Sequence, residues 1–311
     1  MATFAVTGAT GFIGRALVRQ LTERGHTVRA LSRQANLALD GRTHVIPGTL
    51  EDKTSLDQLV SRADGVIHLA GATAAHDRPN YFTTNAAGTT RLLDAIEAKS
   101  EGIPFIHISS LAAREPDLSD YASSKRAGET LVESARVPWT ILRPPAVYGP
   151  GDLGLSPLWA LLKRGWLPRI GPREGRFSLI YVDELAEAIA RLAERMTDLD
   201  SIDPSVHRQI VEIDDQFMGQ LGPGYGWDDI AIIAEEVFAR RPKMIQIPPA
   251  VLRAMAVGSE RLGRVRGRPA IFNVGKAREL SHPDWVAQQA PDWARLGWTP
   301  SRQLRDTLAY L

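Results

Sequence analysis

Cysteine is absent from the 311-residue chain. That excludes disulfides, thiolate zinc, iron–sulfur clusters and a thiol nucleophile. An excess of either charge is missing too: 37 basic and 36 acidic residues leave a formal net charge of +1, so no nucleic-acid partner is expected. None of the seven histidines stands at metal-ligand spacing, and no metal is expected. Long apolar runs are lacking as well. The most apolar stretch, Val66 to Ala75, holds His68 and Gly71 and is about half the length a membrane-crossing helix requires. The N-terminus runs into Gly8 before any signal peptide could form, so the expectation is a cytoplasmic protein without a membrane span.

What is present is an alternation of short apolar strands with helices. Strand signals cover Thr3–Thr7, Thr27–Leu31, His44–Pro47, Gly65–Ala70 and Pro104–Ser109. Between them the pattern predicts helices over Gly14–Arg24, Ser55–Ser61 and Thr89–Lys99. Strands this apolar, each followed by a helix, predict an α/β fold with a doubly wound parallel sheet covered on both faces. After Tyr148-Gly149-Pro150-Gly151 the pattern loosens, apart from a strand at Phe177–Val182, its following helix and a strand at Val206–Ile213. The expected organisation is a nucleotide-binding domain of residues 1–150 plus 177–216. A smaller, partly interleaved substrate domain takes 151–176 plus 217–311.

Thr7-Gly8-Ala9-Thr10-Gly11-Phe12-Ile13-Gly14 joins the first strand to the first helix. Gly8 permits the tight turn, Gly11 lets backbone amides approach a pyrophosphate, and Gly14 allows close helix–strand packing, as in Rossmann-type dinucleotide sites. The pyrophosphate would sit at the positive end of the helix. The second strand ends in Ser32-Arg33, with no acid before Asp40 to bind a free ribose hydroxyl. Arg33 could form a fork to a 2′-phosphate, so NADP(H) is favoured and NAD(H) remains possible.

Tyr121 and Lys125 stand one helical turn apart, with Ser109-Ser110 at the end of the fifth strand. An ammonium beside a phenol is expected to lower the phenol's pKa. Such a phenol can exchange a proton with a substrate oxygen while hydride moves to or from nicotinamide. With the early glycine loop, these residues resemble the extended short-chain dehydrogenase/reductases of the NAD-dependent epimerase/dehydratase family. His68-Leu69-Ala70-Gly71, Asn85, Arg143-Pro144-Pro145-Ala146-Val147-Tyr148-Gly149-Pro150, Tyr181-Val182-Asp183 and Leu296-Gly297-Trp298-Thr299-Pro300 extend the resemblance over nearly the whole chain. The resemblance implies an enzyme in which Tyr121 is the acid/base, Lys125 binds the nicotinamide ribose and tunes Tyr121, and Ser110 orients the substrate oxygen. It also implies that Leu50, Ala70, Gly71, Pro145 and Val147 line the cofactor, and that Asn85 and Asp183 brace loops and helix starts.

Departures from the family pattern narrow the reaction. Leu111-Ala112 follow the candidate Ser110 where dehydratases of the family carry an acid pair, and neither can move a proton. Ala146 replaces an Asn that contacts the diphosphate in sugar-nucleotide enzymes, and Thr49 stands where many relatives have an Asp for the adenine. The pattern lies nearest the steroid-dehydrogenase and flavonol-reductase branch. It implies interconversion of a ketone and a secondary alcohol on a fairly apolar small molecule, such as the keto-lipid 3-oxo-ceramide. A nucleotide-sugar epimerase and a cofactor-bound, non-catalytic assembly subunit are the alternatives, and a homodimer is compatible with either. An epimerase would need a pair from Arg143, Arg169, Arg173 and Arg176 in an otherwise apolar pocket. The segment Pro248–Gly263 joins an apolar stripe of Val251, Leu252, Met255, Val257 and Leu262 to neighbouring arginines. Such a segment is expected to be an ordinary domain helix with a solvated charged face, the alternatives being cover for an apolar ligand or peripheral contact with a membrane.

Overall fold

The computed structural model describes residues 1–34, 42–99, 102–198, 204–288 and 290–311. Asp40, the first acid after the second strand, lies outside the described residues. In the first half the strands are β1 (Thr3–Thr7), β2 (Thr27–Ser32), β3 (Thr43–Pro47), β4 (Gly65–His68), β5 (Phe105–Ile108) and β6 (Trp139–Arg143). The helices between them are α1 (Phe12–Glu23), α2 (Lys53–Val60), α3 (Arg78–Phe82), α4 (Gly88–Glu97) and α5 (Asp120–Glu133). With the strand Gln209–Glu212 these strands form a seven-stranded parallel sheet. Its order is Gln209–Glu212, β6, β5, β4, β1, β2, β3.

Successive side chains on a strand point to opposite faces, and β1 shows why the sheet needs two layers of helices. Phe4 and Val6 join α1 and the later helix α7 (Val182–Thr197) in one core, which holds Leu17, Leu21, Ile189 and Leu192. Ala5 faces the other core, where Leu56, Leu59, Leu92 and Ile96 from α2 and α4 meet Phe105 and Trp139. The strand order reverses between β1 and β4, and open α/β sheets bind ligands in the crevice at such a reversal. This is the Rossmann-type α/β fold that the sequence predicts.

Beyond residue 150 the remaining helices are α6 (Ser156–Lys163), α8 (Trp227–Phe238), α9 (Pro249–Val265), α10 (Val274–Ser281) and α11 (Leu304–Thr307). A separate core of Trp159, Leu162, Tyr225, Trp227 and Ile230 holds α6 and α8 together. Three sequence assignments need correction. The run Phe177–Val182 is two short strands, because Ser178 is drawn aside to donate to Asp214 Oδ2. Arg176–Phe177 pairs with Tyr225–Gly226 and Asp284–Trp285, whereas Leu179–Tyr181 pairs with Ala146–Tyr148, so neither enters the main sheet. The third correction is at the C-terminus. The sequence pattern assigns 217–311 entirely to a second domain, but Trp293, Leu296 and Trp298 are buried in the α1/α7 core of the sheet.

Candidate active site

The glycine loop occupies the crevice between β1 and β4. Gly8 has φ +74°, and a Cβ there would stand 2.6 Å from Ala70 N, so only glycine lets the β1 turn touch the end of β4. At Gly14 a Cβ would fall 2.1 Å from Gly8 O, which is the close helix–loop packing expected of it. Gly11 is the N-cap of α1, whose first turn carries no acid, so its free amides present uncompensated positive potential at the exposed Thr10-Gly11 edge. Phe12 and Ile13 are half-buried on that first turn. This arrangement fits a dinucleotide pyrophosphate.

A chain of buried hydrogen bonds fixes the β4 side of the crevice. Ala70 N donates to Thr7 Oγ1, which lies 2.6 Å from His68 Nδ1. His68 Nε2 lies 3.0 Å from Thr89 Oγ1, and Thr89 in turn donates to the Asn85 carbonyl. Since the Thr89 proton is committed, Nε2 carries the ring proton and Nδ1 accepts from Thr7. Burial, then the nearby Lys125 charge, hold His68 neutral, with its pKa pushed down to about 3. The Asn85 side chain closes the chain, accepting from Ala72 N at 2.7 Å and donating to Ala72 O and to Ser124 Oγ. It therefore clamps the loop after β4 onto α5. Asp183 likewise braces the start of α7 by pairing with Arg19 and Arg302.

Ser110, Tyr121 and Lys125 meet where β5 ends. Ser110 caps the short turn Leu111–Arg114, accepting from Ala112 N, and its side chain stands beside the Tyr121 phenol and lowers the phenol's pKa. Ser109 is spoken for elsewhere: its buried hydroxyl donates to Glu129 Oε1 at 2.6 Å. Ser119 caps α5, and the helix carries Tyr121 and Lys125 on one face. Lys125 is 5 % exposed and donates to Ile108 O at 2.7 Å. Its Nζ lies 3.7 Å from where a Gly71 Cβ would be, so the ammonium borders the crevice beside Gly71. Burial lowers its pKa to about 8, partly offset by Glu129.

The phenol departs from expectation. Its pKa is pushed up, to about 12, where a neighbouring lysine is expected to lower it. Burial is the largest cause; the Ser110 side chain works against it, and Glu279 and Tyr81 reinforce it. Lys125, which donates to Ile108 O, does not offset that burial. In this arrangement the phenol is a neutral acid.

The other cofactor candidates lie around the same edge. Ser32 is buried and its Oγ accepts from Gln34 N, whereas Arg33 is exposed at the end of β2. Leu50 packs over Gly88 at the start of α4. Pro145 is buried and Val147 half-buried on the strand Ala146–Tyr148.

A cleft of about 570 Å³ opens on Tyr121. Its walls correct the expectation of an apolar pocket: Arg264, Arg268, Arg278, Asp117 and Asp120 all line it. The physical reason is the rotation of α9. Its Leu252 and Ala256 pack on Ala277 of α10, which turns Val251, Met255 and Leu262 to solvent and Arg264 toward the cleft. The arginines named from the sequence do not line the cleft. Arg143 is buried on Glu129, Arg169 bonds Gln246, Arg176 bonds the carbonyls of Leu221 and Pro223, and Arg173 lies outside the lining. Sequence reasoning also misses Tyr81 and Asn273, which line the cleft and bond each other across 192 residues. They belong to no motif, and only the docking of α10 beside α3 brings them together.

The profile of the NAD dependent epimerase/dehydratase family matches residues 4–203. The chain is 36% identical to the ceramide reductase of Caulobacter vibrioides, over 92% of this chain and 86% of that protein. It is also 27% identical to a subunit of Arabidopsis thaliana, NADH dehydrogenase [ubiquinone] 1 alpha subcomplex subunit 9, over 96% of this chain and 74% of the subunit. Among solved structures, MoeE5 in complex with UDP-glucuronic acid and NAD superimposes with a TM-score of 0.68 at 22% identity, covering 99% of this chain and 97% of that one. This chain belongs to the NAD-dependent epimerase/dehydratase family. It is an NAD(P)-dependent enzyme of the short-chain dehydrogenase/reductase type.

Proposed function

We propose that this enzyme reduces a ketone to a secondary alcohol on a lipid-like substrate, 3-oxo-ceramide being the concrete candidate, with NADPH as preferred reductant. The observation that carries this reading is Tyr121 lining a cleft at the sheet edge, with Ser110 beside it and Lys125 one turn along the same helix. The ceramide reductase likeness along most of both chains supports the substrate class. Residues 1–150 plus 177–216 would serve as the cofactor domain, and 151–176 plus 217–311 would supply the substrate side, apart from the sheet-packed Trp293–Trp298 stretch.

Gly8, Thr10, Gly11, Phe12, Ile13 and Gly14 would hold the pyrophosphate, and Ser32 with Arg33 the adenosine ribose. Leu50, Ala70, Gly71, Pro145 and Val147 would line the rest of the cofactor. When bound, the cofactor supplies hydride to the carbonyl carbon. The Ser110 and Tyr121 hydroxyls hold the carbonyl oxygen, and Tyr121 gives that oxygen its proton, so that C=O becomes CH–OH. Lys125, aimed along the Gly71 edge, would donate to the nicotinamide ribose hydroxyls.

The NADPH preference is tested at Arg33. Replacement by Ala removes a charge-assisted contact worth roughly 1.5–3 kcal/mol, or about ten- to a hundredfold in affinity for NADPH. NADH binding should be unchanged. Calorimetric titration of both cofactors checks this, and equal NADH binding by wild type would overturn the preference.

A second reading, nucleotide-sugar epimerisation, draws on Arg264, Arg268 and Arg278 in the cleft, since cationic walls could offset a diphosphate. Asp117 and Asp120 in the same walls weigh against it. Turnover assays with NADPH and 3-oxo-ceramide, run beside UDP- and dTDP-sugars, separate the two. Reduction of the keto-lipid alone is the expected result, and turnover of a sugar nucleotide alone would replace the lipid reading.

A further inference from the structure

Helix α9 leaves one face without a protein partner. Val251, Met255, Leu262 and Val265 are 47%, 56%, 48% and 85% exposed. With Gly258 they recur at alternating steps of four and three, which aligns them in a single stripe about 21 Å long. The opposite side of the helix, Leu252 and Ala256, is occupied by α10.

The charges around this stripe are of one sign. Arg261 and the capping Arg266 are exposed beside it and Arg268 follows in the loop, whereas Arg253 and Arg264 are exposed toward the far side. At 3.6 residues per turn, Arg261 flanks one side of the stripe and Arg266 the other. The helix holds one acid, Glu260, on the far side, where it accepts from Val274 N. The loop that follows doubles back tightly over Gly263, where a Cβ would lie 2.7 Å from Arg268 O.

From this juxtaposition we propose that α9 docks the protein on an anionic lipid surface, its apolar stripe at the headgroup boundary and its arginines on lipid phosphates. The charge pattern selects this occupant. A second copy of the chain, laid stripe on stripe, would set Arg261 and Arg266 against their own counterparts with no acid between them, whereas lipid phosphates neutralise both. The contact is peripheral, since among the described residues no helix is long and apolar enough to cross a membrane. Arg264 and Arg268 also line the Tyr121 cleft, so the docked face and the cleft share the C-terminal end of α9.

The test needs no substrate and is independent of the proposed reaction. The full chain is floated with vesicles of phosphatidylcholine alone or mixed with phosphatidylglycerol, and its mass in solution is measured. Binding to the mixed vesicles, weakened by salt, is expected, with none to phosphatidylcholine alone. The pairs Leu262→Glu/Val265→Glu and Arg261→Glu/Arg266→Glu should each reduce binding by about tenfold or more. Melting temperature should not move, because all four side chains are exposed. Failure of wild type to bind, equal binding by the variants, or a dimer that Leu262→Glu dissociates would each overturn the proposal.

Discussion

Replacing Tyr121 by Phe lowers turnover by about a hundred- to ten-thousandfold and leaves cofactor affinity unchanged. The substitution keeps the ring and removes only the phenolic hydroxyl that carries the proton. General acid catalysis of this kind is commonly worth that factor. The direction of the reaction enters here. Burial pushes the phenol's pKa up to about 12, so it is protonated throughout the neutral range and ready to donate in reduction. Oxidation of the alcohol needs the phenolate, and its rate should therefore climb with pH, while reduction should show no limb from Tyr121 below the alkaline range. Single-turnover rates in both directions check this across pH. Near-wild-type reduction by Tyr121→Phe would sink the mechanism and assign the proton donor to another group.

How much of this was legible in the residues depends on the range of the interactions. The glycine loop is readable because its demands are local: a tight turn at Gly8 and a helix directly after the loop follow from neighbouring residues, although that helix begins at Phe12, two residues before the expected Gly14. Helix α5 is legible for the same reason, since one turn brings Tyr121 and Lys125 to one face. Strand β6, five buried residues opening with Trp139 and closing with Arg143, went unassigned. In the sequence its Arg reads only as a motif residue and a candidate for a substrate diphosphate, whereas in the sheet Arg143 is satisfied by a partner on α5. The cleft was misread for a related cause. The apolar stripe on α9 is visible in the sequence, but which way it faces depends on Leu252 and Ala256 meeting Ala277, a contact that no local pattern encodes. The same limit applies to the phenol. Helical spacing places Lys125 near Tyr121, yet only the fold shows the ammonium donating to Ile108 O.

The partnership that hides Arg143 also makes the largest stability prediction. Glu129 is fully buried and accepts from Arg143 Nε at 2.8 Å and Nη2 at 2.7 Å, a bidentate pair, with Ser109 and Arg126 adding further donors. Removing one member of such a pair strands the other charge away from water, at about 3–5 kcal/mol. Glu129→Ala should therefore cost that much, measured by denaturant unfolding with cofactor absent. Arg143 would keep Glu212, at 3.7 Å, as a carboxylate neighbour. The double variant Glu129→Leu/Arg143→Met should lose less than Glu129→Ala, since neither charge is then left alone. This comparison also separates the two roles open to Arg143. A substrate-phosphate clamp predicts that Arg143→Met weakens substrate binding with the fold intact. A structural tie between β6 and the helix carrying Tyr121 and Lys125 predicts a fall in stability, with unchanged KM in whatever remains folded. The buried bidentate geometry favours the second outcome, and a weakened KM at undiminished stability would place Arg143 in the substrate site instead.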